Sequence, residues 1–139
     1  MRLLAPIMIS AILATGGCAS AGANMSAKPS VDDAYIIKTI GEPKSCIPRS
    51  HIRSTSVIDG QTIDFIMNNG DIYRNNLPSK CSGLAFEKAF SYRTSINQLC
   101  SVDIIRVLNQ TAGRIETGAA CGLGKFQKIE KISKDKTED

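Results

Sequence analysis

Tryptophan is absent from this 139-residue chain, histidine occurs once, and aromatic residues make up only 5% of it. Any core is therefore aliphatic. No apolar run approaches the roughly 20 residues a spanning helix needs, and the longest one, residues 3 to 14, is about half that length. Lys and Arg exceed Asp and Glu by only 17 to 13, a net charge of +4 without a basic block. Such a balance favours solubility and weak attraction to anionic surfaces, and is too mild to argue for nucleic acid. No phosphate-cradling glycine loop, nucleophile elbow or H-E-x-x-H pair is present. Gly122-Leu123-Gly124 is a bare G-x-G, read as a turn. The cysteines of the later chain, Cys46, Cys81, Cys100 and Cys121, are spaced by 35, 19 and 21 residues. Zinc sites want closely spaced ligands such as C-x-x-C, so neither a metal nor any other cofactor is expected.

What is there begins at the N-terminus. Arg2 precedes an uncharged apolar run and then the small residues A-T-G-G-C, ending at Cys18. The run is the signature of a secretory signal peptide over residues 1 to 17. Its end resembles the lipobox of bacterial lipoproteins, with Thr15 where that motif usually has leucine. The resemblance implies cleavage before Cys18, diacylation of its thiol, and anchoring to the envelope on the periplasmic side, with the outer membrane as the expected address. The alternative is ordinary cleavage after Ala21 or Ala23, which discards Cys18 and leaves a soluble periplasmic chain. Residues 18 to 34, rich in Ala, Ser and Gly, read as a flexible tether. A domain over residues 35 to 132 and a charged tail over 133 to 139 complete the chain, with fraying expected from Lys128 onward.

Within that domain the patterns are those of strands. Asp59-Gly60 separates two β-branched segments, a strong hairpin signal. Ile63, Phe65 and Met67 alternate, and Asn68-Asn69-Gly70 precedes a third short segment at Ile72, which makes a meander. Residues 77 to 83 read as a loop held by Cys81. Phe86, Lys88, Phe90 and Tyr92 alternate with polar neighbours, although the segment could open as a short helix. Residues 102 to 108 form the most apolar run, and a last strand is expected over residues 122 to 129 after a Gly118-Ala119-Ala120 link. The expectation is an all-β fold, a small barrel or compact sandwich of five to six antiparallel strands. Export to an oxidising compartment predicts two disulfides among the four cysteines. Four cysteines allow three pairings. The preferred one joins Cys81 to Cys100, closing a hairpin-sized loop, and Cys46 to Cys121, tying the start of the domain to its last strand.

The segments C-I-P-R-S-H-I-R-S-T-S-V-I-D, Y-R-N-N-L-P-S-K-C, F-S-Y-R-T-S-I-N-Q-L-C-S-V-D-I-I and C-G-L-G-K-F, spanning residues 46 to 129, together resemble domain-of-unknown-function family 6491 of small exported proteobacterial proteins. The resemblance implies an envelope protein with four cysteines and carries no catalytic or ligand residues.

Candidate chemistry is sparse. Cys46 and His51 would suit a thiolate and its base only if Cys46 were reduced. Asp59 and Asp71 suit turns. Asp64, Asp103 and Glu87 are the remaining acids that could serve a small hydrolase, and Asp103, opening an apolar run, needs a cap or an ion partner. The alternative to catalysis is binding, in which Arg74, Tyr73, Lys88, Tyr92, Arg93 and Arg106 form a basic and aromatic sheet face for an envelope protein or glycan. The expectation is accordingly a non-enzymatic binding or structural module, with a small periplasmic hydrolase, enzyme accessory or inhibitor as the other reading.

Overall fold

The computed structural model describes residues 35–134. The signal peptide, Cys18, the tether and the last residues of the tail lie outside that range. The fold is all-β and antiparallel, as expected, with one four-residue α-helix and a 3-10 turn at Arg49–His51 among the described residues. Strands β1 (Tyr35–Lys44), β3 (Ile52–Val57), β4 (Thr62–Met67), β5 (Ile72–Asn76) and β10 (Phe126–Ser133) form one sheet, while β2 (Cys46–Pro48) pairs with β7 (Gln98–Cys100). A third sheet holds β6 (Phe90–Tyr92), β8 (Ile104–Thr111) and β9 (Arg114–Gly122), and α1 (Leu84–Glu87) precedes it. The large sheet runs β1-β10-β5-β4-β3 and stays open at β1 and β3, so the domain is a sandwich and not a closed barrel.

The meander predicted over β3, β4 and β5 is present. Its first turn differs from the short Asp-Gly type: a four-residue link, 58 to 61, is closed by the Ile58 N–H on the Thr62 carbonyl, and Asp59 Oδ1 accepts the Gln61 N–H at 2.6 Å. Asp71 sits in the second turn, where Asn69 Oδ1 accepts its N–H.

Alternation puts Ile63, Phe65 and Met67 on the inner face, and all three are buried. Phe65 meets Phe126 edge-on at 5.5 Å and Phe90 at 6.3 Å, which locks the large sheet onto the three-stranded one. Ile105 and Val107 of β8, Ile47 of β2, Leu99 of β7 and Leu84 of α1 fill the rest.

Three expectations need correction. Among the described residues the strands number ten, because several three-residue pieces pair and because the Gly118-Ala119-Ala120 stretch is not a link but part of β9. The turn before it uses Ala112 and Gly113, both with positive φ (49° and 78°), and alanine there gives no turn signal. A Cβ at Gly118 would meet the Asn109 side-chain amide at 2.7 Å, so the glycine leaves room for that side chain to lie across the strand. The chain also does not fray from Lys128. Residues 128 to 133 continue β10 against β1, and the lysines have acidic partners: Lys128 Nζ lies 2.9 Å from Asp71 and Lys131 Nζ 2.8 Å from Asp64.

The third correction concerns the disulfides, which join Cys46 to Cys100 and Cys81 to Cys121. Residues 84 to 92 turn away into α1 and β6, so Cys81 and Cys100 do not flank a hairpin. Instead β7 lies against β2 with Cys100 directly opposite Cys46. Cys81, whose N–H bonds the Gly60 carbonyl, reaches across to Cys121 on β9 and staples the two halves of the sandwich. Two disulfides are the mark of a chain that folds in an oxidising, extracytoplasmic compartment. No helix among the described residues is long and apolar enough to cross a membrane.

Candidate functional site

The outer face of the three-stranded sheet follows from its register. Ile105 and Val107 are fully buried, so Ile104 and Arg106 between them point outward. Ser91 lies directly opposite Arg106 on β6, and Arg93, two residues further, shares that face. On the other side Ala120 and Gly122 of β9 oppose Arg106 and Ile104. Small residues on β9 and long ones on β6 and β8 leave a groove of about 640 Å³, lined by Arg93, Arg106, Ser91, Ile104, Val102 and Asp103 and edged by Tyr92 and Thr117.

Electrostatically the groove is positive. Neither the Arg93 nor the Arg106 guanidinium has a hydrogen-bond or ion-pair partner among the described residues. Asp103 is held differently: its Oδ2 accepts the Cys100 N–H at 2.7 Å, and its own N–H bonds the Cys100 carbonyl. That is the cap its sequence position demanded.

Of the six residues proposed as a binding face, Tyr92, Arg93 and Arg106 come together here and three do not. Arg74 lies on the five-stranded sheet, where its Nε and Nη2 grip Asp64 Oδ1 and Oδ2 at 2.7 and 3.0 Å. Lys88 ends α1 with a positive φ and donates to the Val57 and Ile58 carbonyls. Tyr73 is buried, and its hydroxyl takes a 3.2 Å hydrogen bond from Lys44. Sequence patterning placed all six on strands or near them, but only the pairing of β6 with β8 decides which share a face. The same pairing adds Ser91 and Ile104, which alternation alone left unassigned.

A second cavity, of about 600 Å³, collects Lys44, His51, Tyr73, Asn68 and Asp71 around Ile47 and Met67. Cys46 lines it too, bonded to Cys100, so His51 has no thiolate to activate.

The remaining acids have structural partners. Asp64 is solvent-inaccessible; burial alone would raise its pKa, but hydrogen bonds and charge from Arg74 and Lys131 overcome this and hold it below the ordinary carboxylate value. Glu87 accepts the Gln110 N–H. The groove that Asp103 lines contains neither Asp64 nor Glu87. No cluster of three or more His, Cys, Asp or Glu suited to a metal occurs among the described residues. Asn75, which sequence reasoning missed, is fully buried and bonds Gly124 twice: Nδ2 donates to its carbonyl at 2.6 Å and Oδ1 accepts its N–H at 2.8 Å. No family model, curated protein or solved structure matches the chain, so the site is read from its own geometry.

Proposed function

We propose that this protein is a non-enzymatic binding module of the cell envelope, anchored through acylated Cys18 and facing the periplasm, whose ligand face is the groove between β6, β8 and β9. The observation that carries the reading is the pair of partnerless guanidiniums, Arg93 and Arg106, on one face of a short, disulfide-stapled sheet. Two exposed cations side by side repel weakly and gain nothing for folding, whereas they are ready for an anionic partner.

Catalysis needs an acid or base free to exchange its proton. Asp64 is held ionised by two cations, Asp59 and Asp71 close turns, and Asp103 caps β7. An envelope glycan or protein is the partner class, and nucleic acid is not.

Two measurements test this. Intact mass of the protein isolated from membranes should lack residues 1 to 17, carry acyl chains, and gain four hydrogens when the two disulfides are reduced. A lipid-free chain starting after Ala21 or Ala23 refutes the anchor. Co-sedimentation with detergent-washed envelope fractions, measured in detergent so that the acyl anchor cannot hold the protein to lipid, should be lost in the Arg93→Gln/Arg106→Gln variant and kept in Lys80→Gln. Equal sedimentation of both variants refutes the groove as the binding face.

A further inference from the structure

We infer that the groove takes an acidic saccharide, a sugar unit bearing a carboxylate or phosphate together with free hydroxyls. This rests on the binding-module reading above and names the ligand of that site. Three properties of the lining must be met at once. Arg93, the residue just past the end of β6, lies diagonal to Arg106 on β8, because Ser91 opposes Arg106 and Arg93 follows two residues on. Diagonal cross-strand neighbours are about 7–8 Å apart at the backbone, close enough for two long guanidiniums to converge on one anion and grip it with parallel N–H groups.

Asp103 lines the same groove, and with Oδ2 committed to the Cys100 N–H its Oδ1 has no hydrogen-bond partner among the described residues. A carboxylate in this place repels a bare anion and accepts O–H donors, so the ligand must offer hydroxyls beside its charge. The Ser91 and Thr117 hydroxyls extend the same polar surface. The third element is aliphatic: Ile104 is 54% and Val102 85% exposed, a flat apolar shelf suited to the C–H face of a pyranose ring. The cavity of about 640 Å³ falls in the roughly 300–1,000 Å³ range of small-molecule sites. The groove's own lining offers only Val102 and Ile104 as aliphatic side chains, too little to take up an acyl chain, which favours a sugar over a phospholipid.

The test uses the full mature protein, ¹⁵N-labelled and held in a neutral detergent. It is titrated separately with trigalacturonate, cellotriose, inorganic phosphate and phosphatidylglycerol vesicles. Trigalacturonate should shift the amide resonances of Ser91, Arg93, Ile104 and Arg106 saturably, with cellotriose and phosphate each binding at least tenfold more weakly. Arg93→Gln and Arg106→Gln should each weaken trigalacturonate by about tenfold, the loss expected for a charge-assisted hydrogen bond. Asp103→Asn keeps the Cys100 cap acceptor and should narrow the preference for trigalacturonate over phosphate. Absence of these shifts, equal binding of phosphate, or the same shifts produced only by phosphatidylglycerol overturns the saccharide assignment. If the double arginine variant still loses envelope co-sedimentation in that event, the binding-module reading survives and only the ligand class falls.

Discussion

Replacing Cys46 and Cys100 by alanine opens a loop of 54 residues, and replacing Cys81 and Cys121 opens one of 40. The chain-entropy estimate gives about 4 kcal/mol for either closure, with the longer loop ahead by only about 0.3 kcal/mol. Packing reverses that small advantage. Cys81 is 2% exposed and belongs to the core cluster between Leu77 and Leu84, so its truncation also leaves an unfilled space worth about 1 kcal/mol or more. Cys46 is partly exposed, and Cys100, though buried at 9% exposure, lies outside the core cluster, so the sulfurs lost there leave a smaller void. Both variants should therefore melt roughly 15–30 °C below the parent, taking about 4–8 °C per kcal/mol for a domain of this size, and the Cys81→Ala/Cys121→Ala variant should melt lowest. Circular dichroism melts under non-reducing conditions, with thiol titration to confirm the surviving bridge, supply the comparison. A Cys46→Ala/Cys100→Ala variant that melts below the other, or shifts under about 5 °C for both, refutes the reasoning.

Asp64→Asn leaves Arg74 and Lys131 without a buried anion and should cost about 2–3 kcal/mol in urea unfolding, below the full penalty of breaking a buried pair because both cations keep some solvent contact. Since the folded Asp64 titrates below its ordinary value of 3.8, its contribution is present above that pH and is lost as pH falls through the lower folded value; the Asn variant should show a flatter urea midpoint between about pH 5 and 2. Gly124→Ala should destabilise by about 2 kcal/mol or more, because a Cβ would press into the Asn76 carbonyl, whereas Gly122→Ala, with nothing near its added carbon, should change the thermal midpoint little. Asn75→Leu should cost about 2 kcal/mol or more, since it strands the Gly124 N–H and carbonyl that its amide satisfies.

The parts of the fold written in local patterns were legible: the β3-β4-β5 meander, the buried alternation of Ile63, Phe65 and Met67, and the need of Asp103 for a cap. What was not legible depends on pairing between distant segments. Whether Cys100 faces Cys46 or Cys81 is decided by β7 choosing β2, a contact across 54 residues that leaves no mark in either three-residue strand. The strand character of residues 128 to 133 was hidden by lysines whose partners, Asp71 and Asp64, lie more than fifty residues earlier. Half of the proposed basic face was legible for the same reason that half was not. Arg106 falls on β8 and Arg93 just past the end of neighbouring β6, while Arg74, identical in type and context, found a buried acid first.

The pairing of β1 with β10 sets a timetable for the chain's birth. Tyr35 faces Ser133, so the first strand to be synthesised waits for the last. Because the disulfide-bonded chain folds outside the cytoplasm, that wait lasts until the C-terminal strand has been delivered there. Until β10 arrives, β5 shows an open edge next to β4, and the first strand has no hydrogen-bonding neighbour. The large sheet is therefore finished only when its C-terminal strand is in place, and a chain cut short before Phe126 exposes two strand edges that are prone to aggregate.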